Sequence, residues 1–432
     1  DYLKNKINMT NKSNTEVNYI GPFITLEFLF FIVGFLTTAN GQFQGPLKAA
    51  FLSNAGSLKN TFATLISFSW FMAYPLTGGI GSSMVTKYGY KGTLIRALLL
   101  MIVGLGIFFY SSFYFEQYPS SVVQISDATV PVGFFIFLFG SFVVGTSATF
   151  MQVVLNPYLT ACKVKGTQPV QRLNIGGSSN SIGTTIAPYF VTGIVFGGLS
   201  MEEVQVNQLM VPFLALMVVI GIVTLVLSRI ALPEIEETKT VKGEILPKNI
   251  WSFSHLTLGV IAIFFYVGAE VAIGANINLF AISLGGSYAT NAALMATLYW
   301  SGMLVGRLIS SSLNNISAQT QLAITSILAI VSICIAIAIN NPWLLVTVGL
   351  FHSVMWGAIF TLCVNKLGKY TSKASGVFMI GVLGGAFIPL LQGGLADAFS
   401  WRWTWILVII SELYILYYAV SGSKVKQTGE NN

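Results

Sequence analysis

The sequence predicts an all-α integral membrane protein of twelve transmembrane helices, built as two six-helix, pseudo-symmetric halves. Composition is the first observation: of 432 residues, 54% are hydrophobic and 9% charged, whereas about a quarter of a soluble domain is charged. Mean hydropathy is +0.75. The second is that the apolar runs are long and continuous, each near the roughly 20 residues a bilayer-spanning helix needs. A β-barrel would instead alternate in strands of about 10 residues. The third is the distribution of the 22 Lys and Arg, taken up below.

Apolar runs place the spans at about 20–43, 61–86, 93–115, 131–162, 172–199, 209–231, 255–284, 290–312, 319–339, 342–366, 373–399 and 402–421. Threading the chain through them leaves only Lys48, Lys59 and Arg402 on the side opposite the N-terminal tail. Nineteen basic residues against three is a positive-inside signal, so both termini are expected to be cytoplasmic and a basic nucleic-acid face is not expected. The polar stretch from Pro233 to Asn249 divides the chain almost midway. The expected organisation is a cytoplasmic tail (1–19), a first half (20–231), a linker (232–253), a second half (254–421) and a C-terminal tail (422–432). Glu116 to Thr129, on the other side, reads as a plain loop. The first twenty residues are polar, so no secretory signal is expected, and Met9 is a candidate native start.

Equivalent spans share punctuation. Gly183, Pro188 and Gly193 in the fifth recur at identical spacing as Gly384, Pro389 and Gly394 in the eleventh, and Trp70 of the second span matches Trp300 of the eighth. Duplicated halves are how many secondary transporters build a midplane site that opens to either side. Glycines such as Gly78, Gly79, Gly81, Gly381, Gly384 and Gly385 are candidates for close helix crossings, because lipid supplies no hydrophobic force between helices.

Ionisable groups inside spans are the informative ones, since each is costly in hydrocarbon unless it faces a partner or water. Glu270, mid-span in YVGAEVAIGANINLF, is the leading proton-exchange candidate; the competing reading is a hydrogen-bonded structural acid. Glu27 is the second candidate, near enough to the cytoplasmic end to reach the interface instead. Glu412 is read as structural or facing lipid, and Asp397 and Arg402 as a pair flanking the last turn. Cys162, Cys334 and Cys363 show no metal-ligand spacing with His255 or His352 and read as structural thiols. No metal site or cofactor is expected.

Uncharged polar groups form a denser set: Asn40 and Gln42 with Thr37, Thr38 and Gln44; Gln152 and Asn156; Asn174, Asn180 and Ser181; Asn276 and Asn278. Amides offer donors and acceptors without the cost of charge, which suits sugar hydroxyls. Trp300, His352 and Trp356, with Trp70 and Tyr299, offer flat faces for a pyranose ring. Each aromatic taken singly is more simply a packing or interfacial residue.

These residues resemble the fucose:proton symporter family of the major facilitator superfamily, particularly its glucose/galactose-transporter branch. The resemblance runs over nearly the whole chain. It rests on MQVVLNPYL (151–159), RLNIGGSSNSIGTTIAP (172–188), FFYVGAEVAIG (264–274), YWSGMLVGR (299–307), GLFHSVMWGAIFTL (349–362), LGKYTSKASG (367–376) and GGAFIPLLQGGLAD (384–397). It implies a twelve-helix monosaccharide importer driven by protons or sodium, with a central sugar site, working as a monomer in the bacterial cytoplasmic membrane. Departures from the family pattern are informative. Fucose permeases carry an acid in the first span where this chain has Gly41-Gln42, and another where it has Gln152; Gly177 and Gly357 replace a common glutamine and proline.

The expectation is a hexose-type importer working by alternating access, coupled to protons through Glu270. A uniporter is the alternative because the first-span acid is missing, and an exporter of amphiphiles would need a greasier cavity than the amide cluster predicts. An enzyme would need an activated nucleophile or metal set, and a sensor an output domain; the sequence offers neither.

Overall fold

The computed structural model describes residues 19–162, 164–165, 169–198, 203–233, 248–310, 316–367 and 370–425. Most of the expected linker and both tails therefore lie outside the described residues. The first half comprises α1 (Ile20–Phe51, stepping at Phe43), α2 (59–88), α3 (90–117), α4 (Val132–Ala161), α5 (Pro169–Tyr189, extended by a π turn over Phe190–Val195) and α6 (Met210–Arg229). The second comprises α7 (Ser254–Leu284), α8 (Ala292–Ser310), α9 (Ala318–Ile339), α10 (Trp343–Cys363), α11 (371–398) and α12 (Trp401–Gly422). Ten of these are long and apolar enough to cross a membrane by length and composition alone. The other two, α2 and α5, carry the Gly- and Ser-rich stretches and pack along α4 and α1.

Sequence boundaries hold to within a few residues except in α1, which continues past the step at Phe43, where the first span was expected to end, to Phe51; the other differences have local causes. α2 and α3 are joined without a loop. Gly89 turns the chain between them at φ 70°, ψ 179°, a conformation open to a residue lacking Cβ. α10 is interrupted at Ser353 and Val354, and α11 tightens to a 3₁₀ turn over Met379–Leu383. The segment read as a plain loop contains a hairpin, β1 (Val122–Ile125) antiparallel to β2 (Ala128–Pro131), paired from Val122–Pro131 to Ile125–Ala128. Its tip residue Asp127 accepts hydrogen bonds from the Ser57 amide and hydroxyl, both 3.0 Å, which ties the α3–α4 connection to the α1–α2 connection. Those two bonds, the amide first, hold the exposed Asp127 carboxyl below the usual carboxylate range.

The matched punctuation of the fifth and eleventh spans marks equivalent crossings. A Cβ on Gly183 would strike the Phe31 carbonyl of α1, and one on Gly384 the Phe264 carbonyl of α7. Each half therefore packs its fifth helix onto its first by backbone contact, the small-residue geometry expected where lipid cannot drive association. The halves meet along α2–α11 and α5–α8, whereas α4 and α10 pack within their own halves.

Replacing Gly384 by Val forces α11 away from α7. Overpacking of this kind costs about 1–3 kcal/mol, so a fall of several degrees in the thermal unfolding midpoint of the detergent-solubilised protein is expected. An unchanged midpoint would mean the crossing is slack.

Candidate functional site

Connections alternate between two ends of the bundle, here the tail end, where α1 begins, and the far end, where it finishes. At the far end the halves are joined by polar contacts. Gln42 of α1 donates from Nε2 to the Gly274 carbonyl of α7 at 2.8 Å and accepts from Asn278 Nδ2 at 3.3 Å. Beside it, Gly41 would meet Ala275 Cβ at 3.1 Å and Gly45 would meet Ile282 at 3.0 Å, so the helices touch along this stretch.

A second far-end junction joins α11 to the start of α2. Asp397 accepts from the Asn60 amide (2.9 Å), the Thr61 amide (2.6 Å) and the Thr61 hydroxyl (2.6 Å). These are otherwise unsatisfied first-turn donors, and a carboxylate there is favoured by the helix dipole. Trp401 Nε1 donates to Asn60 Oδ1 at 3.1 Å, and Lys48 Nζ bonds the same oxygen. Asp397 and Arg402 are therefore not paired. Arg402 instead donates to the Ile337 and Ala338 carbonyls at the end of α9.

Nearer the tail end, Arg307 of α8 crosses to α5, donating to the Gly177 carbonyl at 3.0 Å and to the Ser181 hydroxyl. A Cβ on Gly177 would lie 3.9 Å from Arg307 Nη1, an ordinary contact, so the bond does not depend on the missing side chain. Glu27 of α1 accepts from Ser179 Oγ at 2.8 Å, and its other oxygen is buried with no partner among the described residues. Glu27 thus turns into the α1–α5 seam. Asn180 is on the same seam, donating to the Phe30 carbonyl at 3.2 Å.

Between the two ends lies Glu270. From Tyr266 to Ala281 every residue of α7 is buried except Glu270, which is partly accessible. Its carboxyl is within electrostatic range of Arg307 and His352 and within hydrogen-bonding reach of the Tyr266 hydroxyl. Around it stand Tyr299, Trp300, His352 and Trp356. The Tyr299 hydroxyl contacts the Glu270 carbonyl oxygen at 3.2 Å and His352 Nδ1 at 2.7 Å. Trp300 lies against Gly274, its indole N–H buried with no acceptor among the described residues, and Trp356 meets Tyr266 and Phe378 edge-on. On α4, in the first half, Gln152 and Asn156 are half-buried, with Gln152 Nε2 donating to Tyr74 Oη at 2.7 Å.

Not all expected site residues converge. Asn40 is spent inside the first half, donating to the Ile66 carbonyl and accepting from Ser141 Oγ. Asn276 turns inside the second, donating to Gln392 Oε1 at 2.8 Å, while its own Oδ1 is buried with no partner among the described residues. His352 offers no free face: it is wholly buried, with both ring nitrogens in contact. Glu412, expected to be structural or to face lipid, is wholly buried and 2.7 Å from His352 Nε2; it turns inward, not toward lipid. The side chain of Asn174 lies outside the described residues. Tyr74, Arg307 and Gln392 join the polar constellation without having been singled out. An arginine at a span boundary looks the same in sequence whether it points to water or across to the other half.

Two six-helix halves joined by polar contacts at the far end are an architecture shared by membrane transporters. The chain belongs to the Major Facilitator Superfamily, whose family model matches residues 30–382. It is 30% identical over 421 residues to a glucose/galactose transporter of Brucella abortus, covering 96% of this chain and 97% of that one. It is 23% identical to the L-fucose-proton symporter of Escherichia coli, covering 88% of each. Among solved structures, its fold matches the transporter FucP in the outward conformation (TM-score 0.66, 20% identity, 93% of this chain and 98% of that one). It also matches the inward-open xylose transporter XylE of E. coli (TM-score 0.69, 12% identity, 95% and 98%).

If the Asp397 junction clasps the far end, Asp397→Asn shifts the population toward the state open there. A hydrogen bond to a charged group contributes about 1.5–3 kcal/mol, so the closed-to-open ratio should fall roughly ten- to hundred-fold. Spin labels at Ser53 and Ser400, in a background lacking the native cysteines, should report a larger long-distance fraction; an unchanged distribution would show that the clasp carries no closing energy.

Proposed function

We propose that this chain imports a hexose-type monosaccharide across the bacterial cytoplasmic membrane by alternating access, with a proton bound at Glu270 driving accumulation. Relatives named for glucose/galactose and fucose–proton transport support the substrate class. The observation that carries the coupling role is the isolation of Glu270: one carboxyl at mid-span, opening onto space from an otherwise buried stretch, within range of Arg307 and His352. A charge placed there is tolerable only while it has water or a cation, so protonation and the position of Arg307 are linked by electrostatics.

With the positive-inside bias putting both termini in the cytoplasm, the far end becomes the periplasmic gate, and the contacts of Gln42 and Asp397 belong to a state closed to the periplasm. Gln152 and Asn156 on α4, with Trp300 and Trp356 on the other half, then supply hydroxyl-bonding amides and ring faces on the two sides of one sugar. The carrier would act as a single chain, with sodium as the other candidate ion. A uniporter is the second reading. It is favoured by Gln42, whose amide is already bonded across the far end and brings no titratable group to the first span.

Uptake into proteoliposomes of labelled glucose, galactose, fructose, fucose and N-acetylglucosamine, with pH and sodium gradients imposed separately, tests the whole reading. Accumulation above equilibrium is expected only with the pH gradient; saturable uptake that halts at equilibrium would make the protein a facilitator. In the same vesicles Glu270→Gln should abolish accumulation while leaving exchange between equal sugar pools near the original rate. Accumulation by that variant would remove Glu270 from coupling. Gln152→Ala deletes a donor whose net worth is about 0.5–1.5 kcal/mol, so sugar affinity should weaken roughly two- to ten-fold with folding intact, and an unaltered affinity would move the sugar off α4.

A further inference from the structure

The Glu270 reading leaves unused a second acid, Glu412, and the only histidine in contact with it. His352 and Glu412 are both wholly inaccessible, on α10 and α12, with Nε2 and Oε1 2.7 Å apart. The other ring nitrogen, Nδ1, is 2.7 Å from the Tyr299 hydroxyl on α8, and that hydroxyl is 3.2 Å from the Glu270 carbonyl oxygen on α7. One polar chain thus runs through four helices: Glu270 carbonyl, Tyr299, His352, Glu412.

Counting protons along this chain gives an unexpected result. Three contacts at hydrogen-bond distance need three protons. The Tyr299 hydroxyl brings one and a neutral imidazole brings one; an ionised Glu412 brings none. With only two, one of the three contacts is left without a proton, whichever ring nitrogen of His352 carries its own, and the buried pair carries a net negative charge. A third proton, shared between Nε2 and Oε1, satisfies every contact: Nδ1–H donates to Tyr299 Oη, Tyr299 donates to the Glu270 carbonyl, and the pair becomes neutral. Burial without compensation makes the charged alternative costly.

We propose that His352 and Glu412 form a second proton-binding site of the carrier, filled through Tyr299 from the space that Glu270 faces. Filling balances atom for atom. Tyr299 passes its proton to His352 Nδ1 and takes one from the Glu270 carboxyl, which lies within electrostatic range of it and is reprotonated from the space it faces, while the Nε2 proton moves onto Glu412 Oε1 or remains shared with it. Emptying reverses these steps. The inference rests on reading the chain as a proton-coupled carrier, and it adds a site whose occupancy Glu270 can sense through its own backbone.

The surroundings leave this pair its own charge balance. From α7 it faces Tyr266, whose hydroxyl is 3.1 Å from the His352 carbonyl, and Glu270. From α8 it faces Tyr299 and, farther off, Arg307, which bonds to α5. α9 packs against both helices and offers only Cys334, which is exposed. α11 meets α10 through Phe378 against Trp356 and Phe360. On α12 itself, Tyr414 is turned to the Leu258 carbonyl. The second carboxylate oxygen of Glu412 has no partner among the described residues, so no neighbouring donor stabilises the anion there.

The test is a set of pH-difference infrared spectra of the full-length protein in lipid, which register proton gain by a carboxylate or an imidazole alike. Glu412→Gln supplies the third proton covalently through its amide, so it should keep the chain intact and lose a titrating signal that Glu270→Gln retains. If Glu412→Gln retains every titrating signal of the parent protein, the proposal is overturned, whatever Glu270→Gln does. If Glu412→Gln loses a signal and Glu270→Gln loses none, the second site stands and the coupling role of Glu270 falls. Should Glu412→Gln fail to fold, Tyr299→Phe decides. It removes the bond to the Glu270 carbonyl that favours the filled form, so the midpoint of the signal remaining in Glu270→Gln should drop by about half to one pH unit. An unmoved midpoint would leave the pair a purely structural contact.

Discussion

Hydrocarbon supplies no hydrogen bonds, so a polar group carried into the membrane is costly unless it finds a partner inside the protein or water in a cavity, and this constraint organises the rest of the molecule. The amides and carboxyls do not scatter through the bundle. They fall on seams: α1–α5, α1–α7, α2–α11, α5–α8 and α7–α8–α10–α12. Contacts within one half, such as Asn40 with Ser141 or Asn276 with Gln392, hold that half as a rigid body. Bonds between halves, at Gln42, Asp397 and Arg307, cross seams that must part and re-form if the two bodies rock against each other.

Rigid halves require close helix packing, and packing in lipid has to come from small residues. Gly183 and Gly384 perform the same task at equivalent crossings, which is physical evidence that the duplication seen in sequence spacing is a duplication of geometry. A related economy brings α8 and α10 together. A Cβ on Gly349 would strike the Tyr299 carbonyl, so its absence sets the separation at which the Tyr299 hydroxyl reaches His352. Just beyond, α10 breaks at Ser353 and Val354, and the His352 carbonyl is taken by Tyr266. A side chain inserted into a helical ladder commonly produces such a break, and it falls beside the buried polar chain.

Hydropathy made the span count and boundaries legible, because twenty apolar residues in a row have few other uses. Even the polar α5 was recoverable, through its Gly and Pro spacing. Which face of a helix a polar residue occupies was not legible. Asn40 and Gln42 are two positions apart, hence about 200° around a helix, and one turns into its own half while the other reaches α7. Asn276 and Asn278 divide in the same way, toward Gln392 and Gln42. Sequence names such residues as a group; rotation about the helix axis decides their partners. The hairpin of β1 and β2 was missed because four-residue strands are too short for periodicity to show.

Glu412 illustrates a different limit. Its span is the last, and ordinal position encourages the view that it lies at the periphery. Yet a helix at the edge of a bundle still presents one face inward, and on α12 that face includes Val408, Ser411, Glu412 and Ile415, all buried. The positions recur at three- and four-residue intervals, the spacing of one helical stripe. An acid on a buried stripe cannot be a lipid-facing residue, because nothing in hydrocarbon would satisfy it. It must have a partner, and in the second half the nearest available base is the histidine of α10. Only the structure shows that stripe, because ILVIISELYILY is apolar all around the helix and its spacing alone does not tell the inward face from the outward one.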